Sequence, residues 1–309
     1  LGYPILEVVG VAVRDIEKER AQHVDRRLIT TDPAGLVRRA DVEVVVELAG
    51  GVEQARTWVE TAVHLHKPVV TANKALMAEH GGDLLTQAAA LRVPLRYEAS
   101  VGGGIPILRA IESGLTGTRI IEIAGVINGT TNFILTQMEE QGWSFEHALS
   151  EAQRLGYAEA DPTLDVEGID AAQKLVILTG LAFGVEVPFE AFPLEGITAV
   201  TQEQIAAEKA AARSVRLVAR ARRADDPNGV PTLSVRPEAL PSTHTLARVS
   251  GVTNAVSLIG EPLGEVVLAG PGAGPGPTAS AVLSDLLDAC RPNAWPSRTW
   301  RPAGLLSRR

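Results

Sequence analysis

The densest run of chemically capable side chains in this sequence lies between Glu159 and Lys174. Glu159, Asp161, Asp165, Glu167, Asp170 and Lys174 all fall within one loop and the helical pattern that follows it. Asp170 and Lys174 are four residues apart, a spacing that sets both side chains on one face of a helix. Glu159 arrives from the preceding loop, so two carboxylates can surround one ammonium. Nearby anions favour a protonated lysine while burial disfavours it, and together they yield a charged proton donor held away from bulk water. An Asp and a Lys at this spacing are, taken alone, an ordinary surface ion pair. This pair is followed by Leu175 to Gly184 (LVILTGLAFG), which is almost wholly apolar. A charge at the head of a buried helix needs a partner that offsets its lost hydration.

The elements that would position these groups are legible in the apolar pattern. Ile5 to Val13 (ILEVVGVAV), Val42 to Leu48 (VEVVVEL) and Pro68 to Thr71 (PVVT) read as buried strands, separated by amphipathic stretches such as Val52 to His66. Residues 83–91 read as a helix and Val93 to Ala99 as a further strand. This alternation predicts βαβ units and a parallel sheet. Such a sheet binds its ligand beyond the carboxyl ends of the strands, here Arg14, Ala49 to Gly51 and Thr71 to Lys74. The pattern changes at Ser100-Val101-Gly102-Gly103-Gly104, which puts a domain boundary near residue 97. Beyond it, Arg119 to Ile127 reads as a strand, Asn128 to Asn132 as a turn, and Ser144 to Leu155 as a helix capped by Ser144 and stopped by Gly156. Residues 166–183 and 202–222 read as two more helices, and Thr232 to Val235 and Val252 to Leu268 as short β segments. The second domain is therefore expected to be mixed α+β.

Composition excludes several function classes. The chain has 309 residues, 45% of them apolar, and 29 Lys plus Arg against 37 Asp plus Glu give a formal charge of −8. That balance lacks the basic footprint that nucleic-acid phosphates reward. The longest apolar run, about Leu175 to Val185, falls short of the ~20 residues that span a bilayer. With no secretory leader pattern at the start, the expected location is the cytoplasm. Cys290 is the single cysteine, which leaves no intrachain disulfide and no cysteine-based zinc cluster. The segment 291–309 has five Arg, three Pro, two Trp and no acid, and is expected to be a disordered tail.

Five separated motifs resemble homoserine dehydrogenases, in that family's order: VTANKAL at 70–76, EASVGGGIPI at 98–107, GVINGTTNFI at 125–134, LGYAEADPTLDVEGIDAAQK at 155–174 and GPGAGPGPTASAV at 270–282. The resemblance runs from residue 1 to about 290. It implies NADP-linked, reversible reduction of L-aspartate 4-semialdehyde to L-homoserine, on the route to threonine, methionine and isoleucine. Lys174 would be the proton donor to the carbonyl oxygen, with Lys74 beside nicotinamide and substrate. Glu159 and Asp170 would bind the substrate, chiefly its ammonium, with Asp165 and Thr130 as further substrate contacts. The chemistry is consistent with this, because hydride delivered to a carbonyl carbon builds negative charge on oxygen that two lysines can stabilise or protonate.

The resemblance also implies a monovalent cation, sodium, at Glu98, Val101, Gly103 and Ile105, where hard oxygen donors suit a hard ion. For the nucleotide, Arg14 lies where the extra phosphate of NADP would sit, while the adjacent Asp15 leaves NAD open. Ala49, Gly50, Thr71, Asn73, Lys74, Gly156 and Glu159 would line the cofactor cleft. Gly272 and Gly274 form a glycine-rich turn opening a helix, able to offer N–H groups to an anion.

The implied fold is α/β. A Rossmann-type parallel-sheet domain at 1–97 lacks its first strand and GxGxxG turn, and an α+β domain at 98–269 provides substrate and dimer contacts. A helix at 270–290 returns to the nucleotide domain. A homodimer or homotetramer is expected, and feedback by threonine through a C-terminal ACT-type domain is not expected. Two other readings stay open: a dehydrogenase for a different small molecule, and a catalytically silent dimerisation or ligand-binding protein.

Overall fold

The computed structural model describes residues 5–20, 24–226, 229–291, 294 and 296–302. Short Val-rich runs alternate with helices over the first hundred residues and pair in parallel. β1 (Val11–Ala12) lies beside β2 (Ile29–Thr30), and β3 (Val45–Glu47), β4 (Val69–Thr71) and β5 (Leu95–Arg96) form a second sheet in that order. Val45 is opposite Val69, and Val69 opposite Leu95. The crossovers are helical: α1 (Pro33–Arg38) before β3, α2 (Glu53–His64) between β3 and β4, and α3 (Lys74–Ala90) between β4 and β5.

Two expectations change here. Of Ile5 to Val13 only Val11 and Ala12 pair, while Ile5 is 99% and Val8 64% exposed. An apolar run is buried as a strand only when neighbours flank it and both faces are covered, and β1 pairs with β2 alone. The helix expected at 83–91 begins instead at Lys74. The Gly81-Gly82 pair in its middle weakens the helical signal, yet both glycines are buried at close contacts with other parts of the chain.

The chain then passes through α4 (Ile107–Arg109) into a five-stranded antiparallel sheet. Its central strand is β6 (Arg119–Val126), followed by α5 (Gly129–Gln141), α6 (Phe145–Arg154), α7 (Thr163–Val166) and α8 (Ile169–Phe183). The helix read over 166–183 is thus two, parted at Gly168, whose φ of 81° no β-branched or bulky residue tolerates. Next come β7 (Val185–Glu186), α9 (Gln202–Ala210), β8 (Arg213–Arg222), β9 (Thr232–Pro241), β10 (Thr253–Glu261), β11 (Gly264–Pro271), α10 (Pro275–Ala289) and β12 (Arg301–Pro302). The sheet order is β11-β10-β6-β8-β9, and α5, α8 and α9 pack against β8.

The helix expected over 202–222 is half wrong. A Thr201/Gln204 capping box starts α9, the chain turns through Ala212 (φ 55°), and 213–222 is strand. Val215, Leu217, Ala219 and Ala221 face the helices at period two, and pairing with both β6 and β9 overrides the local helical preference of Ala and Arg.

α10 packs across β4 and β5, with Val282 and Ala289 beside Val70 and with Arg96 Nε 2.8 Å from Asp288 Oδ2. The tail also differs from expectation. Over its described part it is ordered: Trp300 is 3% exposed, Ser297 is buried, and β12 pairs in parallel with β7. One large ring with a fitted slot supplies the apolar area that composition alone does not reveal. Residues 292, 293, 295 and 303–309 lie outside the described residues. Among the described residues no helix is long and apolar enough to cross a membrane.

Candidate active site

Packing of α3 on α8 brings together the two lysines singled out in the sequence. Lys74 is the first residue of α3, and Asp170 lies in the first turn of α8, where the helix dipole favours an anion. Lys174 Nζ donates to Asp170 Oδ2 at 2.7 Å and to the Ile127 carbonyl at 2.8 Å. Lys74 Nζ lies 3.1 Å from Asp170 Oδ1. Asn128 Nδ2 donates to Asp170 Oδ2 at 2.9 Å and to Asp165 Oδ1 at 2.6 Å. Burial pushes the Asp170 carboxyl up, but Lys174, Lys74 and the Asn128 amide outweigh it and hold it at about 2. Asp165 is pushed up from the ordinary carboxylate range, chiefly by burial, against the pull of Asn128.

The two ammoniums differ in access. The Lys174 side chain is 10% exposed and that of Lys74 38%. An ammonium carries three N–H donors. Two of those on Lys174 are spent on Asp170 and Ile127, and the third has no acceptor among the described residues.

Glu159 is not brought to this cluster. It is exposed, and among the described residues its carboxylate makes no ion pair with either lysine, so Asp170 alone serves both. Its loop is nonetheless tied close by. Thr130 Oγ1 donates to the Tyr157 carbonyl at 2.7 Å, and Gln153 Nε2 donates to that of Glu159 at 3.2 Å. Gly156, at φ 76°, ends α6 by donating to the Gln153 carbonyl. Asp161 accepts from the backbone and hydroxyl of Thr163 at the start of α7.

At the strand ends a buried Glu47 organises the turn. Its Oε1 accepts from the N–H groups of Ala49 (2.8 Å) and Gly50 (3.2 Å), and its Oε2 from Thr71 Oγ1 at 2.6 Å. Asn73 caps α3 by accepting from Leu76 N–H, and its Nδ2 donates to the Gly51 carbonyl at 2.6 Å. Thr71 and Asn73 therefore shape the cleft with their polar atoms already engaged. Gly50 and Gly51, at φ 72° and 74°, border open space. Arg14 is exposed and reaches the Ala49 carbonyl at 3.4 Å, which joins the end of β1 to the end of β3. Asp15 Oδ1 accepts from the N–H groups of Glu17 and Lys18, so that carboxylate is turned to its own loop.

The glycine-rich start of α10 is a thinner anion cradle than its sequence implies. Pro275 and Pro277 have no N–H, and that of Thr278 goes to the Gly274 carbonyl at 3.0 Å. Gly272 instead permits a close approach, since a Cβ there would meet Asn254 Nδ2 at 1.9 Å.

The 98–105 segment docks on that turn, with Gly104 N–H donating to the Pro271 carbonyl at 3.0 Å. The Glu98 carboxylate, expected as a cation ligand, is anchored by the backbone. Its oxygens accept from the N–H groups of Leu108 (2.9 Å) and Arg109 (2.8 Å) at α4. The Ile105 carbonyl accepts from Ile107, whereas those of Val101 and Gly103 accept no hydrogen bond among the described residues.

Three groups that sequence reasoning passed over complete the arrangement: Asn128, the Ile127 carbonyl and Glu47. Asn128 stands directly before a helical pattern, a capping signal in itself. Glu47 is a lone acid at the end of a valine strand.

Both regions of the chain are similar to known proteins. A family model described as homoserine dehydrogenase matches residues 106–287, and one described as homoserine dehydrogenase, NAD binding domain, matches residues 4–98. The homoserine dehydrogenase of Bacillus subtilis is 44% identical over 287 residues, covering 93% of this chain and 65% of that protein. That of Corynebacterium glutamicum is 43% identical over 288 residues, covering 93% and 64%. The crystal structure of a homoserine dehydrogenase from Thiobacillus denitrificans superposes with a TM-score of 0.86 at 46% identity, covering 91% of this chain and 64% of that one. A hyperthermophilic archaeal homoserine dehydrogenase in complex with NADPH gives 0.72 at 32% identity, covering 85% and 76%. The chain thus spans a little under two thirds of the length of these two bacterial relatives. With both of its regions matched, an NAD-binding Rossmann-type domain and the domain that carries Lys174, the chain belongs to the homoserine dehydrogenase family.

Proposed function

We propose that this chain catalyses the NADP-linked, reversible reduction of L-aspartate 4-semialdehyde to L-homoserine, toward threonine, methionine and isoleucine. The observation that carries this reading is the Asp170 carboxylate shared by the ammoniums of Lys74 and Lys174. A bound reduced nicotinamide supplies hydride to the carbonyl carbon. Lys174 directs its uncommitted N–H at the carbonyl oxygen and gives up a proton as negative charge develops there. Lys74, the more exposed, steadies the same charge from the cleft side. Asp170 stays ionised and holds both lysines in place, and the free carboxylate of Glu159 is left for the substrate ammonium, with Asp165 and Thr130 bordering it.

The strand ends fit a dinucleotide: Gly50 and Gly51 border open space beside an exposed Ala49, and Arg14 stands free of its acidic neighbour for the 2′-phosphate, which favours NADP over NAD. Carbonyls at Val101, Gly103 and Ile105, with the Glu98 carboxylate, would take a monovalent cation such as sodium. The reading includes a cytoplasmic homodimer or homotetramer formed through the second domain.

Initial rates with aspartate semialdehyde and NADPH test the reading. Lys174→Ala is expected to lose nearly all turnover, while NADPH fluorescence still titrates to saturation. Undiminished turnover in that variant would overturn the role of Lys174. The absence of a saturable NADPH signal in the unchanged chain would favour a catalytically silent protein.

A further inference from the structure

We infer that Trp300 is a positioning residue for the lysine pair: its indole is a wedge that sets the spacing of α3 and α8, and thereby the seat of Lys74 against Asp170. The inference rests on the reading of Lys74, Asp170 and Lys174 as the reacting centre.

Trp300 lies in an extended segment far along the chain, yet only 3% of it is exposed. Two helix-interior glycines face its ring, one from each helix. A Cβ at Gly81 of α3 would lie 2.6 Å from the indole Cζ3, and one at Gly180 of α8 would lie 2.5 Å from Cδ2. Glycine inside a helix is unfavourable, so two of them opposite one ring mark a slot fitted to that ring. Gly81 follows Lys74 by seven residues, about two turns along the same face of α3. Gly180 follows Lys174 by six residues in α8.

The wedge is fixed from both sides. Ser297 Oγ donates to the Leu95 carbonyl and accepts from Arg96 Nη1, both at 2.8 Å. Arg298 N–H donates to Glu112 Oε1 at 3.1 Å, and Arg301 N–H to the Gly184 carbonyl, just past the end of α8, at 3.0 Å. The Tyr97 ring meets the indole edge-on at 6.1 Å between centroids. Among the described residues of this segment none hydrogen-bonds to or pairs with the lysines, so its influence passes through the two helices. A change of a few tenths of an ångström in their separation acts directly on the 3.1 Å contact between Lys74 and Asp170.

The test compares Trp300→Ala, Trp300→Phe, Gly180→Ala and the Gly180→Ala/Trp300→Ala double variant in this chain. The chain has five lysines, Lys18, Lys67, Lys74, Lys174 and Lys209, so ¹³C labelling at the lysine ε-carbon yields an assignable NMR spectrum. Gly180→Ala is expected to lower Tm by roughly 5 °C or more, because its methyl has no room beside the indole. The double variant should melt no lower than Trp300→Ala, since the methyl then enters vacated space. Trp300→Ala should move the Lys74 and Lys174 signals and cut kcat about tenfold with KM nearly unchanged, and Trp300→Phe should retain most of both. Additive losses of Tm would overturn the wedge, as would a Trp300→Ala variant that melts early but keeps its lysine signals and kcat. If the unchanged chain shows no turnover at all, the functional reading fails, and the melting cycle and lysine spectra decide the wedge by themselves.

Discussion

One carboxylate serving two ammoniums is an arrangement whose cost and benefit can be measured. The Asp170 carboxyl is held at about 2 against an ordinary 3.8, so between those values the unfolded chain binds the proton that the native chain refuses. Stability from this group is therefore complete above about pH 4 and is lost as the pH falls toward 2. Its size is on the order of 2 kcal/mol. Asp170→Asn is expected to remove that acid-side slope in urea melts run across pH 2 to 6. At pH 7 the variant should also be less stable by about 3 kcal/mol, because two ammoniums then share an uncharged amide. A variant as stable as the parent at pH 7 would show that Lys74 and Lys174 find other partners.

At the scale of elements, β8 shows how strongly a long-range partner can dictate local conformation. Its alternate residues include Arg216, which is only 4% exposed in a sheet. All three guanidinium nitrogens donate: Nε to the Val249 carbonyl at 3.0 Å, Nη2 to the Ala247 carbonyl at 2.9 Å, and Nη1 to Glu139 Oε2 at 2.6 Å. It thus joins β8 to α5 and to the turn before β10. Arg216→Ala leaves a part-buried Glu139 oxygen and two carbonyls without their donor, and is expected to cost about 3 kcal/mol in chemical denaturation. A loss below 1 kcal/mol would mean that water enters and replaces the guanidinium. The same strand reads locally as helix because Ala and Arg are strong helix formers and nothing local announces the pairing with β6 and β9.

Across the whole molecule, the segment after β5 and the turn after β11 meet at one tight joint. Gly103, at φ 53°, lies so close to Gly272 that a Cβ would sit 2.7 Å from its backbone carbonyl. Gly103→Ala should therefore lower stability by roughly 1–3 kcal/mol through both the contact and the backbone strain, measured by urea melts. An unchanged midpoint would mean that the joint opens at little cost. Much of this protein was readable before its shape was known. Short valine runs, the cap at Ser144 and the Asp170–Lys174 spacing are local signals, written by forces between near neighbours in the chain. What only folding settled was which distant groups share a space. Lys74 rather than Glu159 completes the cluster on Asp170, the Glu98 carboxylate is anchored by the N–H groups of Leu108 and Arg109, and Trp300 leaves an unpromising tail to fill a glycine-lined slot. Those outcomes come from close packing and from the need to partner every buried charge, and both conditions act only between surfaces that the chain has already brought together.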